Sequence, residues 1–438
     1  MRDLLLLAIV IGAMPFALRH TWIAVMLWTW ISVMNPHKLA FGFAYNAPFA
    51  AMAAGAALIS ILFSRDRLKW SFTPPTIVLG LFVLWMCITT ALAFYPALSW
   101  IQLNKVLKIQ LMTFVAIAAL RERKHIELFI WINALSIGFY GFKGGLFTIS
   151  TGGASRVWGP PGGFIEGNNE IALALIMAIP LMNYLRVVST QQWVRIGLLA
   201  VMVLSTVAAI GTQSRGALLA LSAMGTVLWM RSDRKLVTGV VVAFVAVSLI
   251  SFMPDSWEQR MSTIQNYQED GSALGRINAW WMTFRLANDQ FFGGGYEIYT
   301  TQLFARYAPY PDDLHVAHSI YFSVLGEHGY IGLLLFLLLW WLAFRTIGKI
   351  RKDARNQIET KWAFHLAGMC QVSLVGYAVG GAFLSLAYFD LPYNILVILV
   401  ITKRWLQERR WETETHGAFN SAVPKSQLRT SAIQRFQQ

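Results

Sequence analysis

Long apolar runs recur along almost the whole chain, and few folds tolerate them. Crossing ~30 Å of hydrocarbon at 1.5 Å per residue takes about 20 apolar residues in a helix. Candidate spans are 46–64, 76–94, 100–120, 126–150, 169–188, 193–212, 215–231, 235–253, 320–346 and 362–384, followed by a shorter 391–402. Residues 4–35 read as one broken helix or as two short ones interrupted at Arg19-His20. The composition agrees: 13% of residues are charged, where a soluble domain has about 25%. Disorder, a coiled coil and an ordinary cytosolic enzyme are excluded. The expected fold is an all-α polytopic membrane protein.

A net charge of +14 suggests nucleic acid until its placement is considered. Basic residues gather in short segments between alternate spans: Arg65, Arg67 and Lys69; Arg121, Arg123 and Lys124; Arg186 and Arg195; Arg231, Arg234 and Lys235; the run Arg345 to Lys361; and the tail after Thr402. Such loops face the cytoplasm. The C-terminus is expected there too, and the charge reads as topology, with no nucleic-acid partner. Parity puts 148–168, 212–216 and 254–319 on the opposite face. With the N-terminus inside, 4–35 counts as one span and the total is about 12.

The chain divides into an N-terminal bundle, 1–253, a long outer loop with an amphipathic helix, 254–319, C-terminal spans, 320–402, and a polar cytoplasmic tail, 403–438. The start, Met1-Arg-Asp and then Leu4 to Ala17, resembles a signal peptide but has no clear cleavage site, so it is expected to be retained. Cys87 and Cys370 both lie in apolar stretches and form no disulfide framework or metal motif. The 18 Trp and 28 Phe fit interfacial belts and lipid-facing surfaces.

Cations outside the cytoplasmic set need a reason, because one at a helix centre costs at least about 2.5–3.5 kcal/mol. An anionic headgroup such as a phosphate or diphosphate would supply it, since Arg grips phosphate oxygens in a bidentate fork. Arg215, in Gly211-Thr-Gln-Ser-Arg-Gly-Ala217, sits at the outer surface where two spans join through almost no loop. The competing reading is an Arg that snorkels to the interface. In the outer loop, Ser272 to Gln290 reads as a helix with Ser272 as N-cap, an apolar stripe of Ile277, Trp280, Trp281 and Phe284, and a stop at Gly293-Gly-Gly295. Arg276 and Arg285 are nine positions apart and project from opposite faces at about 100° per residue. Arg276, beside the helix N-terminus, is the better anion contact, and Arg285 more often a solvated face.

His318, in His315-Val-Ala-His-Ser-Ile-Tyr321, stands where the outer loop re-enters the membrane. An imidazole there can take a proton from an attacking sugar hydroxyl. A lone His is more often structural, His315 competes for the role, and His328 should lie deeper. Asp312 and Asp313 are adjacent, but without a second acidic cluster no metal is expected. The turn-rich segment Arg156 to Glu170 offers Arg156, Glu166 and Asn169 either as headgroup contacts or as loop and helix-cap residues. No nucleotide, zinc-protease or nucleophile-elbow motif is present, so no cofactor is expected.

At these residues the chain resembles the O-antigen ligase/polymerase superfamily of bacterial envelope glycosyltransferases. The resemblance covers nearly the whole chain. It rests on about a dozen spans with a long outer loop before the last few, Thr212-Gln-Ser-Arg215-Gly-Ala, Gly275-Arg276 with Trp280, and His318-Ser-Ile-Tyr321 followed by Leu325, Glu327 and Gly329. Ser319 stands where many relatives carry Asn. The stretch Arg156 to Glu170 looks like the ligase branch, which includes exosortase-associated O-glycosylation ligases.

The resemblance implies a GT-C-like bundle in the bacterial inner membrane with a periplasmic active site. It implies metal-independent, inverting transfer of a glycan from undecaprenyl diphosphate to a lipid A-core sugar hydroxyl. Arg215 and Arg276 would hold the diphosphate, with Arg156 and Arg285 as further contacts; His318 would activate the acceptor, and Glu166, Asn169 and Tyr321 would lie along the substrate. Partners would be that donor, that acceptor and membrane lipids. Alternatives are an O-antigen polymerase, a protein O-oligosaccharyltransferase and a lipid-linked glycan transporter, although a transporter's polar features gather near the midplane rather than at one face.

Overall fold

The computed structural model describes residues 1–64, 66, 68–231 and 271–414, and between the last two stretches only positions 235, 236, 239, 240, 243, 247, 251, 253–255 and 257. Most of the span expected at 235–253, the loop from 258 with Arg260, the tail beyond 414, and Arg65, Arg67 and Arg234 lie outside the described residues. The described chain is helical, with no strand among these residues. In order the helices are α1 (Arg2–Arg19), α2 (Thr21–Met34), α3 (Phe49–Phe63), α4 (Pro74–Ala91), α5 (Pro96–Ala119), α6 (Arg123–Ser150) and α7 (Asn168–Val188). They continue with α8 (Gln192–Gly211), α9 (Arg215–Arg231), α10 (Gly271–Asp289), α11 (Thr301–Tyr307), α12 (Ile320–Asp353), α13 (Lys361–Gly381) and α14 (Asp390–Gln407). Seven of them, α4 to α8, α12 and α13, are long and apolar enough to cross a membrane; α2 and α3 are shorter apolar helices. The protein is a polytopic helical membrane protein.

Residues 4–35 do not form one span. The chain breaks at His20, in extended conformation, between α1 and α2. Asp3 Oδ1 accepts hydrogen bonds from the Gly42 and Ala44 amides at 3.1 Å, which brings the start of α1 beside the chain that follows α2. The two helices therefore form a hairpin. At its turn, His20 Nδ1 lies 3.1 Å from Asp66 Oδ1, next to the basic loop after α3. The physical reason is that an Arg19-His20 pair at mid-hydrocarbon is costly, and a turn moves both to a polar boundary. The N-terminus consequently lies at the end of the bundle opposite the basic loops, and the single-span parity is corrected.

The basic loops meet at one end. Arg404 donates to the Lys69 and Leu120 carbonyls at 2.8 and 2.6 Å, Lys69 pairs with Glu408 at 2.6 Å, and Arg123 stands over the Trp362 ring. In the interior, α14, the run expected to be short, is buried from Asp390 to Thr402. A helix apolar all round is enclosed by other helices, and α2, α5, α6, α12 and α13 surround this one. Its polar groups are matched: Asn394 donates to Asn133 at 2.7 Å, and Asp390 accepts from Ser32 at 2.6 Å.

Small residues set the closest crossing. A Cβ on Gly145 of α6 would stand 2.4 Å from the Leu204 carbonyl of α8, and one on Gly211 would stand 2.0 Å from Thr148 Oγ1. Without a hydrophobic drive between helices in lipid, such backbone approach is what holds them together. It also fixes where α8 ends.

The hairpin predicts a labelling pattern. With Cys87 and Cys370 changed to Ser, Arg2→Cys and Ser155→Cys should react with an impermeant maleimide from one side of the membrane and Arg409→Cys from the other. Labelling of Arg2→Cys together with Arg409→Cys from the same side would contradict the hairpin.

Candidate active site

Away from the basic loops, the α8–α9 junction is built by four residues. Gln213 adopts a left-handed backbone (φ 54°), and Ser214 Oγ accepts from the Ala217 amide at 3.2 Å, so α9 begins at Arg215. The Thr212 carbonyl accepts from Asn168 Nδ2 at 2.9 Å, which ties the start of α7 to the junction. Gln213 donates to the Gly153 carbonyl at 3.1 Å and accepts from Arg156 Nε at 3.3 Å. Arg156, Arg215 and the first turn of α7 are thus knit together.

The segment from α10 to the start of α12 supplies the other half. Asn278 of α10 holds the segment before α12, donating to the Tyr310 and Asp313 carbonyls at 2.8 and 2.9 Å and accepting from the Tyr310 amide. Trp280 donates to the Ala317 carbonyl at 2.7 Å, and its ring stacks on Phe322 with centroids 4.9 Å apart. Gly275 leaves room for the His315 ring: a Cβ there would lie 2.4 Å from Nδ1. Pinned on both sides, His318 takes a left-handed backbone (φ 44°) immediately before α12. A non-glycine residue in that region is uncommon, and such residues cluster at functional sites.

The charges then meet. The charge of Arg276 is felt at Arg215, at Glu170 and at His318. His318 Nδ1 is buried without a hydrogen-bond partner and lies 3.9 Å from Glu170 Oε1. Burial first, and then Arg276 and His315, push the His318 imidazole down to about 4, so it is neutral at ordinary pH. Helices α7, α9 and α12 all present their N-termini at this end, and each terminus carries roughly half a positive charge. The arrangement favours an anion beside a neutral imidazole.

Other residues singled out from the sequence are placed as follows. Arg285 is exposed on another face of α10 and donates to the Tyr307 carbonyl at 3.3 Å. Glu166 accepts from the Gly162 amide at 2.8 Å and closes its own loop, while Asn169 is half-buried in the first turn of α7. Tyr321 turns into the bundle, donating to the Ala378 carbonyl at 2.8 Å and lining a small apolar cavity with Trp340 and Tyr377. His315 Nδ1 stands 2.8 Å from Asp313 Oδ1. His328 is fully buried against Thr89 at 2.7 Å. Asp312 is exposed, and no three metal-binding side chains group together among the described residues.

The stripe expected on α10 is rotated. Its buried residues are Gly275, Asn278, Ala279, Met282, Thr283, Leu286 and Ala287, while Trp281 and Phe284 are exposed and pack edge to face on each other. Small, polar and aliphatic residues face the neighbouring helix because α10 lies close on α12, where Trp280 also stacks on Phe322, while Trp281 and Phe284 are left outside. Sequence reasoning also passed over Glu170 as a site residue; its signal is an acid three residues after Gly167, at the mouth of a span.

Residues 200–337 match the family described as O-antigen ligase. The match covers about a third of the chain and supports kinship with the O-antigen ligase/polymerase superfamily of membrane enzymes. Residues 1–190 match a family of unknown function. A comparison with curated proteins finds no match. Arg215, Arg276 and His318 fall inside the ligase match, and Arg156 and Glu170 inside the other, so the cluster is assembled from both regions.

The depressed His318 value has a consequence for stability. A histidine that resists protonation when folded opposes folding once the unfolded chain protonates, so stability falls as pH drops from about 6.5 to about 4 and levels off below. His318→Gln should flatten that part of the thermal-unfolding midpoint against pH; an unchanged profile would contradict a buried, neutral imidazole.

Proposed function

We propose that the protein is an O-antigen ligase of the bacterial inner membrane, moving a glycan from undecaprenyl diphosphate to a sugar hydroxyl of lipid A-core on the periplasmic side. The observation that carries this reading is the meeting of Arg215 and Arg276, coupled through space, with a neutral imidazole at the end opposite the basic loops. An excess of Lys and Arg marks the cytoplasmic side, so the cluster faces the periplasm in this reading.

The acceptor oxygen attacks the anomeric carbon as the bond to the diphosphate oxygen breaks, and the configuration inverts. The acceptor proton passes to His318, and the electron pair leaves with the diphosphate. Arg215 and Arg276 stabilise the charge growing on that leaving group. Fixed cations aimed at developing charge are worth most in a site shielded from water. Arg156, held on the α8–α9 junction, adds a further cation at the rim, and membrane lipids surround the whole.

With purified lipid-linked donor and lipid A-core acceptor, His318→Ala should lower the transfer rate by about 10²–10⁴. Arg215→Ala and Arg276→Ala should each lower it by about 10²–10³, with the thermal midpoint unchanged. Wild-type turnover in any of the three removes its assigned role. Transfer to a second lipid-linked glycan, or to Ser and Thr of a protein, in place of lipid A-core would reassign the enzyme to the polymerase or protein-glycosylating type.

A further inference from the structure

Glu170 has two oxygens with two different surroundings. It is the third residue of α7 after the Gly167 N-cap, and a Cβ on Gly167 would stand 2.0 Å from Oε2, so that oxygen is folded back over the helix start. A Glu at this position commonly serves as half of a capping box. The other oxygen, Oε1, points away from the cap and lies 3.9 Å from His318 Nδ1. The carboxylate is mostly buried, 15% exposed, in a place where an acid needs a partner.

We propose that Glu170 is the positioning residue of His318: its Oε1 holds the proton on Nδ1 and so presents the Nε2 lone pair to the acceptor hydroxyl. The inference rests on the reading of His318 as the acceptor's base. When Nε2 takes the acceptor proton, the ring becomes a cation. The charged and titratable groups facing it are Arg276 from α10, His315 from the same segment, and Glu170 from α7. Two of these are cationic or can become so, and Glu170 is the acid that offsets them. The 3.9 Å separation is too long for a hydrogen bond, and such contacts between catalytic groups tighten when substrate closes the site. His318 carries its left-handed backbone (φ 44°) where its ring stands 3.9 Å from the α7 carboxylate.

The test is Glu170→Gln in the full-length protein, with the lipid-linked donor and the lipid A-core acceptor varied in turn. The amide keeps an oxygen for the cap and removes the charge. We expect kcat to fall by about 10–10³, with donor KM and the thermal midpoint unchanged, and Glu170→Asp to recover part of the loss. In a His318→Ala background the same change should cost nothing further, because residues acting as a unit are not additive. A rise in donor KM at constant kcat would mean that Glu170 serves Arg276, and a full additional loss in His318→Ala would make it an independent base or a cap; either overturns the proposal. Wild-type kcat in Glu170→Gln with a slow His318→Ala rejects this inference alone. Wild-type kcat in His318→Ala rejects the underlying reading.

Discussion

Arg215 and Arg276 press positive charge toward each other at an end of the bundle where three helix N-termini add their own. Like charges at a membrane boundary do not gather unless something holds them. Here the holders are short-range: the Gln213 turn that starts α9 at Arg215, and the Asn278 and Trp280 hydrogen bonds that tie α10 to the segment leading into α12. The repulsion that remains favours an anion at such a site, and in the proposed reaction a diphosphate leaving group would meet it more fully after bond cleavage than before. Catalysis requires that order of preference.

The outer loop needs a seat on the bundle, and α12 provides one by breaking its own ladder. Gly329 has a left-handed backbone (φ 66°) inside the helix, and the freed Gly326 and Glu327 carbonyls accept from the Gly294 and Gly295 amides at 2.8 and 2.9 Å. Gly293, also left-handed, passes so close that a Cβ would stand 2.6 Å from the Gly329 nitrogen. Below this joint, Glu327 accepts from Tyr388 at 2.5 Å and His328 meets Thr89 at 2.7 Å. Irregular backbone at this depth is tolerated because its polar groups are satisfied inside the protein. The kink thus fixes α10, and through it Arg276, relative to α7 and α9.

Much of this was legible in the sequence, for reasons that differ by element. Spans such as 126–150 and 169–188 read directly because lipid forces both length and apolarity on them. Within 4–35 the interruption at Arg19-His20 was legible, but counting the region as one span was not sound, because a hairpin turning on one residue leaves almost no loop in the pattern. The run 391–402 looked weak, yet it begins the central helix, since a protein-enclosed helix can afford Asp390 and Asn394 where a lipid-facing one cannot. Arg276 and Arg285 were separable by helical angle alone. The direction of Tyr321 was not, because which side of a helix faces protein depends on neighbours distant in the chain. Glu170 stayed hidden for the same reason: its partner His318 lies 148 positions away.

The most direct measurement is an experimental structure of the purified protein with an undecaprenyl-diphosphate glycan bound. The account predicts the two phosphate groups within ion-pair distance of both Arg215 and Arg276, with the anomeric carbon facing His318. Phosphates seated instead at the opposite end of the bundle, among Arg351, Lys352 and Arg355, would contradict it.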